Sequence, residues 1–362
     1  MRGTGPSVIV IGAGILGASA AYFLQRGGAR VLVVDAGGDT ATAASFGWIN
    51  ASFHHDEAHF RLRAAGIEAW RRLSRDLSLP LRWDGALCWE EEAGPALEAQ
   101  HAHLTALGYD VARIDRAAFE RLEPQIATPP AQSLHFTREG ATDSAATAGL
   151  LLAAAVDAGA RRMRGLRIEG FAQTGGRITG VRTQAGLSTA DQVLIAAGTG
   201  SAALMAQAGA ALPMLRRPGL MLRTRPVPPV LSHILVSRHG ELRQLPDGTL
   251  LMPAAIDHQA DTSEHLRDPL EQTAAQVLAR LRRMLPQIPL DWQEVSLALR
   301  PVPRDGLPVI GAVQAGLHVA CMHSGVTLGA LAGEMVAQEM LEGVTNRTGA
   351  LLAPYRPQRF SS

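Results

Sequence analysis

The sequence predicts an α/β fold: a doubly wound parallel-sheet domain interrupted by an inserted α+β domain with an antiparallel sheet. Three observations predict it. A short apolar run at residues 8–11 enters a Gly12-x-Gly14-x-x-Gly17 turn at the start of the chain. A second run of the same buried character, residues 191–197, returns in the second half of the chain. Between and after these lie short alternating segments separated by turn dipeptides, the pattern of antiparallel sheet.

Residues 8–11 are continuously apolar rather than alternating, as in a central parallel strand covered on both faces. Gly12 permits a tight turn, Gly14 lets backbone approach a pyrophosphate, and Gly17 lets the following helix lie close to the strand. Residues 18–25 are helix-forming, and the helix N-terminus directs partial positive charge at phosphate. Residues 31–34 form a second buried strand ending in Asp35, whose carboxylate is placed to accept from a ribose hydroxyl. The complete unit predicts a Rossmann-like dinucleotide site with Gly12, Gly14, Ile15, Gly17, Asp35 and Ala36 as binding residues. The acid favours an unphosphorylated ribose, hence FAD or NAD over NADP; the motif alone does not separate these two.

Composition narrows the class. The 362 residues suffice for two domains or one large α/β unit. Apolar residues make up 47% and charged residues 19%, as in a globular enzyme, and the net charge of +1 implies no attraction to nucleic acid or membrane. Every basic side chain is Arg; the absence of Lys excludes Schiff-base chemistry and a Walker A lysine. Cys88 and Cys321 form no metal or redox motif, and no metal site is expected. The first apolar run is the nucleotide-binding strand rather than a signal peptide, and no apolar run is long enough to span a membrane, so a cytoplasmic location is expected.

The rest of the chain follows in order. Residues 40–52 are mostly small, with the aromatics Phe46 and Trp48 among them, suited to backbone running close to a flat ligand. His54, His55 and His59 follow at a helix start, and His54 or His55 is a candidate to face the active site. Residues 58–77 have helical spacing with Arg on the outer face. Strands are expected in 81–90, helices at 91–107 and 115–122, and an edge strand at 134–136. Thr142 or Asp143 caps a helix over 144–157. Residues 161–170 and 177–183 flank Gly175-Gly176 as a hairpin. Strands are expected at 214–222, 233–236, 241–245 and 249–253, the last two joined by the hairpin signal Asp247-Gly248. An amphipathic helix over 264–285, capped near Thr262 or Ser263, completes the insertion. Residues 296–311 run strand–turn–strand, 317–322 form a strand, and 323–328 turn into a helix over 329–341 whose N-terminus can stabilise negative charge on a ligand ring. The parallel-sheet domain is expected to comprise 1–85, 140–215 and 295–362, and the substrate domain 86–139 and 216–294.

Three separated stretches resemble the D-amino-acid-oxidase-like flavoprotein superfamily, which includes glycine oxidase, sarcosine oxidase and D-amino-acid dehydrogenases. They are residues 8–35; Leu194-Ile-Ala-Ala-Gly198; and Arg300-Pro-x-Pro-x-Asp-Gly-x-Pro-x-Ile-Gly311 followed by His323-Ser-Gly-Val-Thr-Leu328. Their order spans nearly the whole chain and selects FAD over NAD. The resemblance implies a doubly wound FAD domain with a substrate domain over the flavin, and C–N oxidation of an amino acid or secondary amine by hydride transfer to flavin N5. It implies that Arg300 holds a substrate carboxylate, a role suited to a planar bidentate donor. It implies that Ser45, Phe46, Gly47 and Trp48 border the flavin, with Ala197, Gly198, Gly311, Ser324, Gly325, Val326 and Thr327 also at the cofactor. Arg167, on the strand after the helix capped near Asp143, contacts the adenine side through its main chain in this comparison. His54, His55, Trp48 and His323 are the candidates to shape the pocket or take the amine proton.

The chain departs from some relatives. It has no His at Ala43-Ala44-Ser45 and no Cys at Arg300, the positions of covalent flavin links, so non-covalent FAD is expected. It has no Lys for reaction with oxygen, which favours a dehydrogenase. The electron acceptor (oxygen, a quinone or a partner protein) and homo- or hetero-oligomeric assembly stay open. The alternative is a flavin-bearing subunit of a hetero-oligomeric amine or opine dehydrogenase, inactive without its partner.

Overall fold

A computed structural model describes residues 5–38, 40–89, 95–256, 264–265 and 268–360. The chain opens with β1 (Ser7–Ile11), α1 (Ile15–Arg26), β2 (Arg30–Asp35) and the short β3 (Trp48–Ile49). Next comes α2 (Glu57–Asp76), whose start is fixed by the Asp56 carboxylate accepting from the His59 amide at 2.8 Å. Then follow β4 (Leu81–Arg82), β5 (Ala86–Cys88), α3 (Pro95–Ala106), β6 (Ala112–Asp115), α4 (Arg116–Leu122), β7 (Gln132–Phe136) and β8 (Gly140–Thr142). Asp143, rather than Thr142, caps α5 (Ser144–Asp157) by accepting from the Ala146 amide at 3.0 Å. The middle of the chain supplies β9 (Arg161–Arg164), β10 (Gly170–Thr174), β11 (Arg177–Thr183), β12 (Gly186–Thr189), β13 (Gln192–Ile195), α6 (Ser201–Gln207), β14 (Met214–Thr224), β15 (Ile234–Ser237), β16 (Gly240–Gln244) and β17 (Leu250–Pro253). The last part contributes α7 (Leu270–Met284), β18 (Trp292–Pro303), β19 (Val309–Gln314), β20 (Leu317–Cys321), α8 (Gly325–Glu342) and α9 (Asn346–Leu352).

A six-stranded sheet runs in the order β19-β20-β13-β1-β2-β9, parallel except for β19. The continuous apolar character of β1 has its cause here. Val8 and Val10 point into a core shared with α1, α5 and α8, and Ile9 and Ile11 into a second core shared with β11, α6 and β20. Helix α1 lies against both α5 and α8, and α2 backs onto α8.

An eight-stranded sheet runs β18-β14-β17-β16-β15-β5-β7-β6, antiparallel except between β15 and β5. Its outer face carries Leu222, Leu235, Leu242, Leu250 and Met252 against the apolar stripe of α7. Its inner face carries Met221, Val236, Leu251 and Phe136 into the main core. β3, β8 and β4 form a separate three-stranded antiparallel sheet in the order β3-β8-β4. Among the described residues no helix is long and apolar enough to cross a membrane.

Four expectations are corrected. Residues 161–170 do not form a hairpin arm: β9 pairs in parallel with β2, and the hairpin around Gly175-Gly176 joins β10 to β11. The 134–136 segment is not an edge strand, because β6 pairs outside β7. Helix α7 begins only after Pro269, which cannot donate within a helix and so suits its entrance; the capping candidates Thr262 and Ser263 lie outside the described residues, as do 90–94 at the start of the helix expected over 91–107. Helix α8 starts earlier than expected, so Gly325, Val326 and Thr327 form its first turn.

Candidate active site

The glycine turn is tight for steric reasons that can be stated atom by atom. Gly12 has φ +102°, and a Cβ there would lie 2.5 Å from the Ala196 carbonyl oxygen on the neighbouring strand. A Cβ on Gly17 would lie 2.0 Å from the Gly12 carbonyl oxygen, so only glycine lets α1 approach β1 this closely. Gly14 leads into α1 without a side-chain cap, and the Ile15 amide donates to Thr42 Oγ1 at 3.1 Å. Open backbone donors at a helix N-terminus, in a cradle that side chains would fill, fit the pyrophosphate of a dinucleotide.

Asp35 ends β2 beside this turn. Its Oδ2 accepts from Arg162 at 2.9 Å and its Oδ1 from the Gly37 amide at 3.3 Å. Ala36 is exposed next to it. Arg167 is not on a strand: it is exposed in the loop after β9, where the adjacent Leu166 amide donates to the Asp35 carbonyl at 3.1 Å. Ala197 and Gly198 follow β13 at the mouth of the same sheet. Gly311 lies on β19 under Arg356, whose Nη1 sits 2.5 Å from the place of a Cβ.

The loop of small residues is pinned on two sides. Gly47 has φ +77°; its amide donates to Ser45 Oγ at 3.0 Å, and its carbonyl accepts from the Thr142 amide at 2.9 Å. A Cβ on Gly47 would lie 2.1 Å from the Thr142 carbonyl oxygen. Trp48 is buried, pairs with Ala141, and packs edge-on against Phe53 at 5.5 Å. The Trp48 carbonyl accepts from Thr327 Oγ1 at 3.3 Å, and the Val326 carbonyl from Trp70 Nε1 at 2.8 Å. The first turn of α8 therefore opens beside Gly47 and Trp48. A Cβ on Gly325 would sit within 3.8 Å of Ile15, so the N-termini of α1 and α8 converge. The first amides of each helix have no acceptor within the helix.

Arg300 projects from β18 opposite Arg217, with its Nε 3.5 Å from the Arg217 carbonyl. Its stem packs 3.5 Å from the place of a Cβ on Gly219. His323, after β20, lies within the field of Arg300, Arg63 and His55; burial above all, and then these neighbours, hold its imidazole down at about 4. The His55 ring approaches Gly306 in the β18–β19 turn to 3.1 Å of a Cβ position. Arg300, His55 and His323 thus share one neighbourhood. His54 is directed elsewhere. Its Nδ1 donates to the Ala51 carbonyl at 3.1 Å, so its Nε2 accepts from His103 Nε2 on α3 at 3.0 Å.

The loop rests on a buried polar network that sequence reasoning missed. Arg63 Nε donates to the Asn50 carbonyl at 3.1 Å, and its Nη2 donates to Asn50 Oδ1. Glu139 Oε1 accepts from the Ala51 amide at 3.1 Å, the Ser52 amide at 3.0 Å and Tyr109 Oη at 2.9 Å. Burial raises the Glu139 carboxyl above its ordinary range and lowers Arg63 to about 10. Arg63 departs from the outer polar face expected of residues 58–77 and is buried on α2, while Glu139 lies in the turn between β7 and β8, where a charge reads as solvated. One signal pointed the other way: Gly66 sits mid-helix in α2, where a Cβ would meet the Thr327 carbonyl at 2.8 Å. Among the described residues no group of three or more His, Cys, Asp or Glu side chains is placed to hold a metal ion.

Comparison with known proteins bears on the family and the fold. The chain is 25% identical to the hydrogen cyanide synthase subunit HcnC of Pseudomonas aeruginosa, over 98% of this chain and 96% of that one. It is also 25% identical to the bifunctional protein ThiO/ThiG of Trichormus variabilis, an alignment covering 68% of this chain and only 37% of that protein. The crystal structure of L-proline dehydrogenase from P. horikoshii superposes with a TM-score of 0.85 at 20% identity, over 99% of this chain and 98% of that one, which speaks to the fold. The DAO model, described as FAD dependent oxidoreductase, matches residues 7–339. The chain belongs to the DAO family of FAD-dependent oxidoreductases.

Proposed function

We propose that this enzyme oxidises the C–N bond of an amino acid or secondary amine to the imine, which then hydrolyses in water. The observation that carries the reading is Arg300, a planar carboxylate-binding side chain in one neighbourhood with His323 and the C-terminal stretch that ends in the first turn of α8. Gly12, Gly14, Ile15 and Gly17 would hold the FAD pyrophosphate, and Asp35 and Ala36 the ribose. Ser45, Phe46, Gly47, Trp48, Ser324, Gly325, Val326 and Thr327 would border the ring, with Ala197, Gly198, Gly311 and Arg167 further along the cofactor. When bound, FAD supplies the hydride acceptor at N5.

The chain's own residues orient and shield. Arg300 fixes the substrate carboxylate and so the α-carbon. The first-turn amides of α8 favour negative charge developing on the ring. Trp48 closes one wall and keeps water out. His323, uncharged above about pH 4, adds no positive charge that would oppose binding of the amine. Non-covalent cofactor binding is supported by Cys321, which is buried on β20 with its thiol against the Gly198 carbonyl at 3.5 Å. The test is anaerobic mixing with D-, L- and N-methyl amino acids. Flavin bleaching with one equivalent of 2-oxo acid or aldehyde product per flavin supports the reading; bleaching without a carbonyl product sinks it. Slow reoxidation in air then denotes a dehydrogenase and fast reoxidation an oxidase.

A second reading is a flavin-bearing subunit that needs a partner, supported by the end-to-end likeness to HcnC, which is described as a subunit. It predicts bound flavin that no amine reduces until the partner is added.

A further inference from the structure

The inner face of the eight-stranded sheet carries four arginines, with Glu294 opposite Arg223, Glu241 opposite Val236, and Glu264 3.6 Å from Arg217. Residues directly opposed in antiparallel strands share a face. Arg243 on β16 opposes Leu251 on β17, and Leu251 opposes Arg223 on β14. Arg217 lies an even number of residues from Arg223, with the register unbroken between them, and opposes Arg300 on β18. Four arginines therefore share the face turned toward the parallel sheet, opposite the face covered by α7.

Arg243 stands apart among them. It is only 5% exposed, and its Nη2 donates to the Thr142 carbonyl at 3.0 Å. Its guanidinium lies over the Phe46 ring at 5.5 Å. Its Nη2 is 2.7 Å from the place of a Cβ on Gly47, so the glycine makes room for it. Its Nε is buried without a hydrogen-bond partner among the described residues. The acid that acts on it is Asp143, whose carboxylate already caps α5, while Arg223 and Arg82 add positive field. Burial lowers the guanidinium to about 10, so it stays charged at neutral pH. A buried cation is costly unless an anion meets it. Rules broken in this way mark functional sites.

We propose that Arg243 binds a second carboxylate of the substrate, so that the substrate class is an amine bearing two carboxylates: an acidic amino acid or an N-carboxyalkyl amino acid. The inference rests on the reading above that residues 45–48 border the flavin and that Arg300 takes the first carboxylate. A guanidinium offers the second group a bidentate, charge-assisted pair, and the Phe46–Gly47 corner sets its distance from the reacting carbon.

The test uses oxidised holoenzyme and unreactive ligands, read by perturbation of the flavin absorbance. Succinate and glutarate are titrated against acetate and propionate. The wild type is expected to bind the dicarboxylates more than about tenfold tighter, and Arg243→Gln to reduce that preference by about ten- to hundredfold. Equal binding of mono- and dicarboxylates by the wild type overturns the proposal without need of a variant; so does an unchanged preference in a folded Arg243→Gln. Anaerobic reduction by N-methylglycine against iminodiacetate, and by alanine against aspartate, separates the two levels. Reduction by the monocarboxylates as fast as by their dicarboxylate partners overturns the role of Arg243 and leaves C–N oxidation standing. A dicarboxylate preference with no reduction by any amine supports the role of Arg243 and overturns C–N oxidation.

Discussion

Thr327 bolts the first turn of α8 to the strand that carries Trp48. Its hydroxyl donates to the Trp48 carbonyl at 3.3 Å and accepts from the Asn50 amide at 3.3 Å. All three residues are buried, so removing the hydroxyl takes a hydrogen bond from each of two backbone groups. Thr327→Val is expected to cost about 1–3 kcal/mol in folding stability and to weaken FAD retention, while Thr327→Ser restores both. Thermal melting and flavin content after dialysis check this.

The glycine cradle predicts a sharp contrast between two alanine substitutions. Gly17→Ala would force a methyl to within 2.0 Å of a backbone oxygen and is expected to yield protein without bound flavin. Gly149 lies within α5 with open space around its Cα. Gly149→Ala is expected to stabilise by about 0.5–1 kcal/mol through helix propensity and to keep the flavin. Absorbance ratios of the purified variants check both.

Buried histidines set the acid response. His59 is held at about 3 and His323 at about 4, chiefly by burial, against an ordinary value of 6.5. Below pH 6.5 the unfolded chain takes up these protons and the folded chain does not. Stability is therefore full above pH 6.5 and falls as pH drops toward 4, by at most about 1.4 kcal/mol per pH unit for each group. His59→Phe is expected to flatten the slope of stability between pH 6.5 and 4.5, measured by urea unfolding.

How much of this was legible in the sequence depends on whether a residue's surroundings leave a local mark. β1, α1 and β2 are legible because burial on both faces imposes continuous apolar residues, and the close approach of α1 to β1 imposes glycines at fixed spacing. β9 was misread because Arg161-Arg-Met-Arg164 is the exposed outer strand of its sheet and so has no apolar run. The start of α7 was placed too early because Pro269, not a side-chain cap, opens it. Of the candidate site, Arg300 and the first turn of α8 are legible from motifs. The partners of His54 and of the Asn50–Ser52 backbone could not, since His103, Tyr109 and Glu139 are distant in sequence and none is of a type that burial reliably marks. Arg243 was equally silent, sitting in an ordinary strand pattern.

The two thiols, Cys88 on β5 and Cys321 on β20, give a simple test of packing in the two large sheets. Cys88 is 1% exposed and Cys321 is fully buried, with burial pushing the Cys321 thiol up to about 12. Native protein is expected to react with no equivalents of a thiol reagent, and denatured protein with two. Acid precipitation is expected to release all the flavin into the supernatant.

The most direct test of the account is anaerobic flavin reduction in wild type and Arg300→Leu side by side, across carboxylate-bearing amines and simple alkylamines. The account predicts that the wild type is bleached by a carboxylate-bearing amine, and that Arg300→Leu binds flavin with an unaltered spectrum. The variant should need about a hundredfold more of that substrate, a salt-linked hydrogen-bonded pair having been lost. Bleaching that is indifferent to Arg300, or by alkylamines alone, would contradict it.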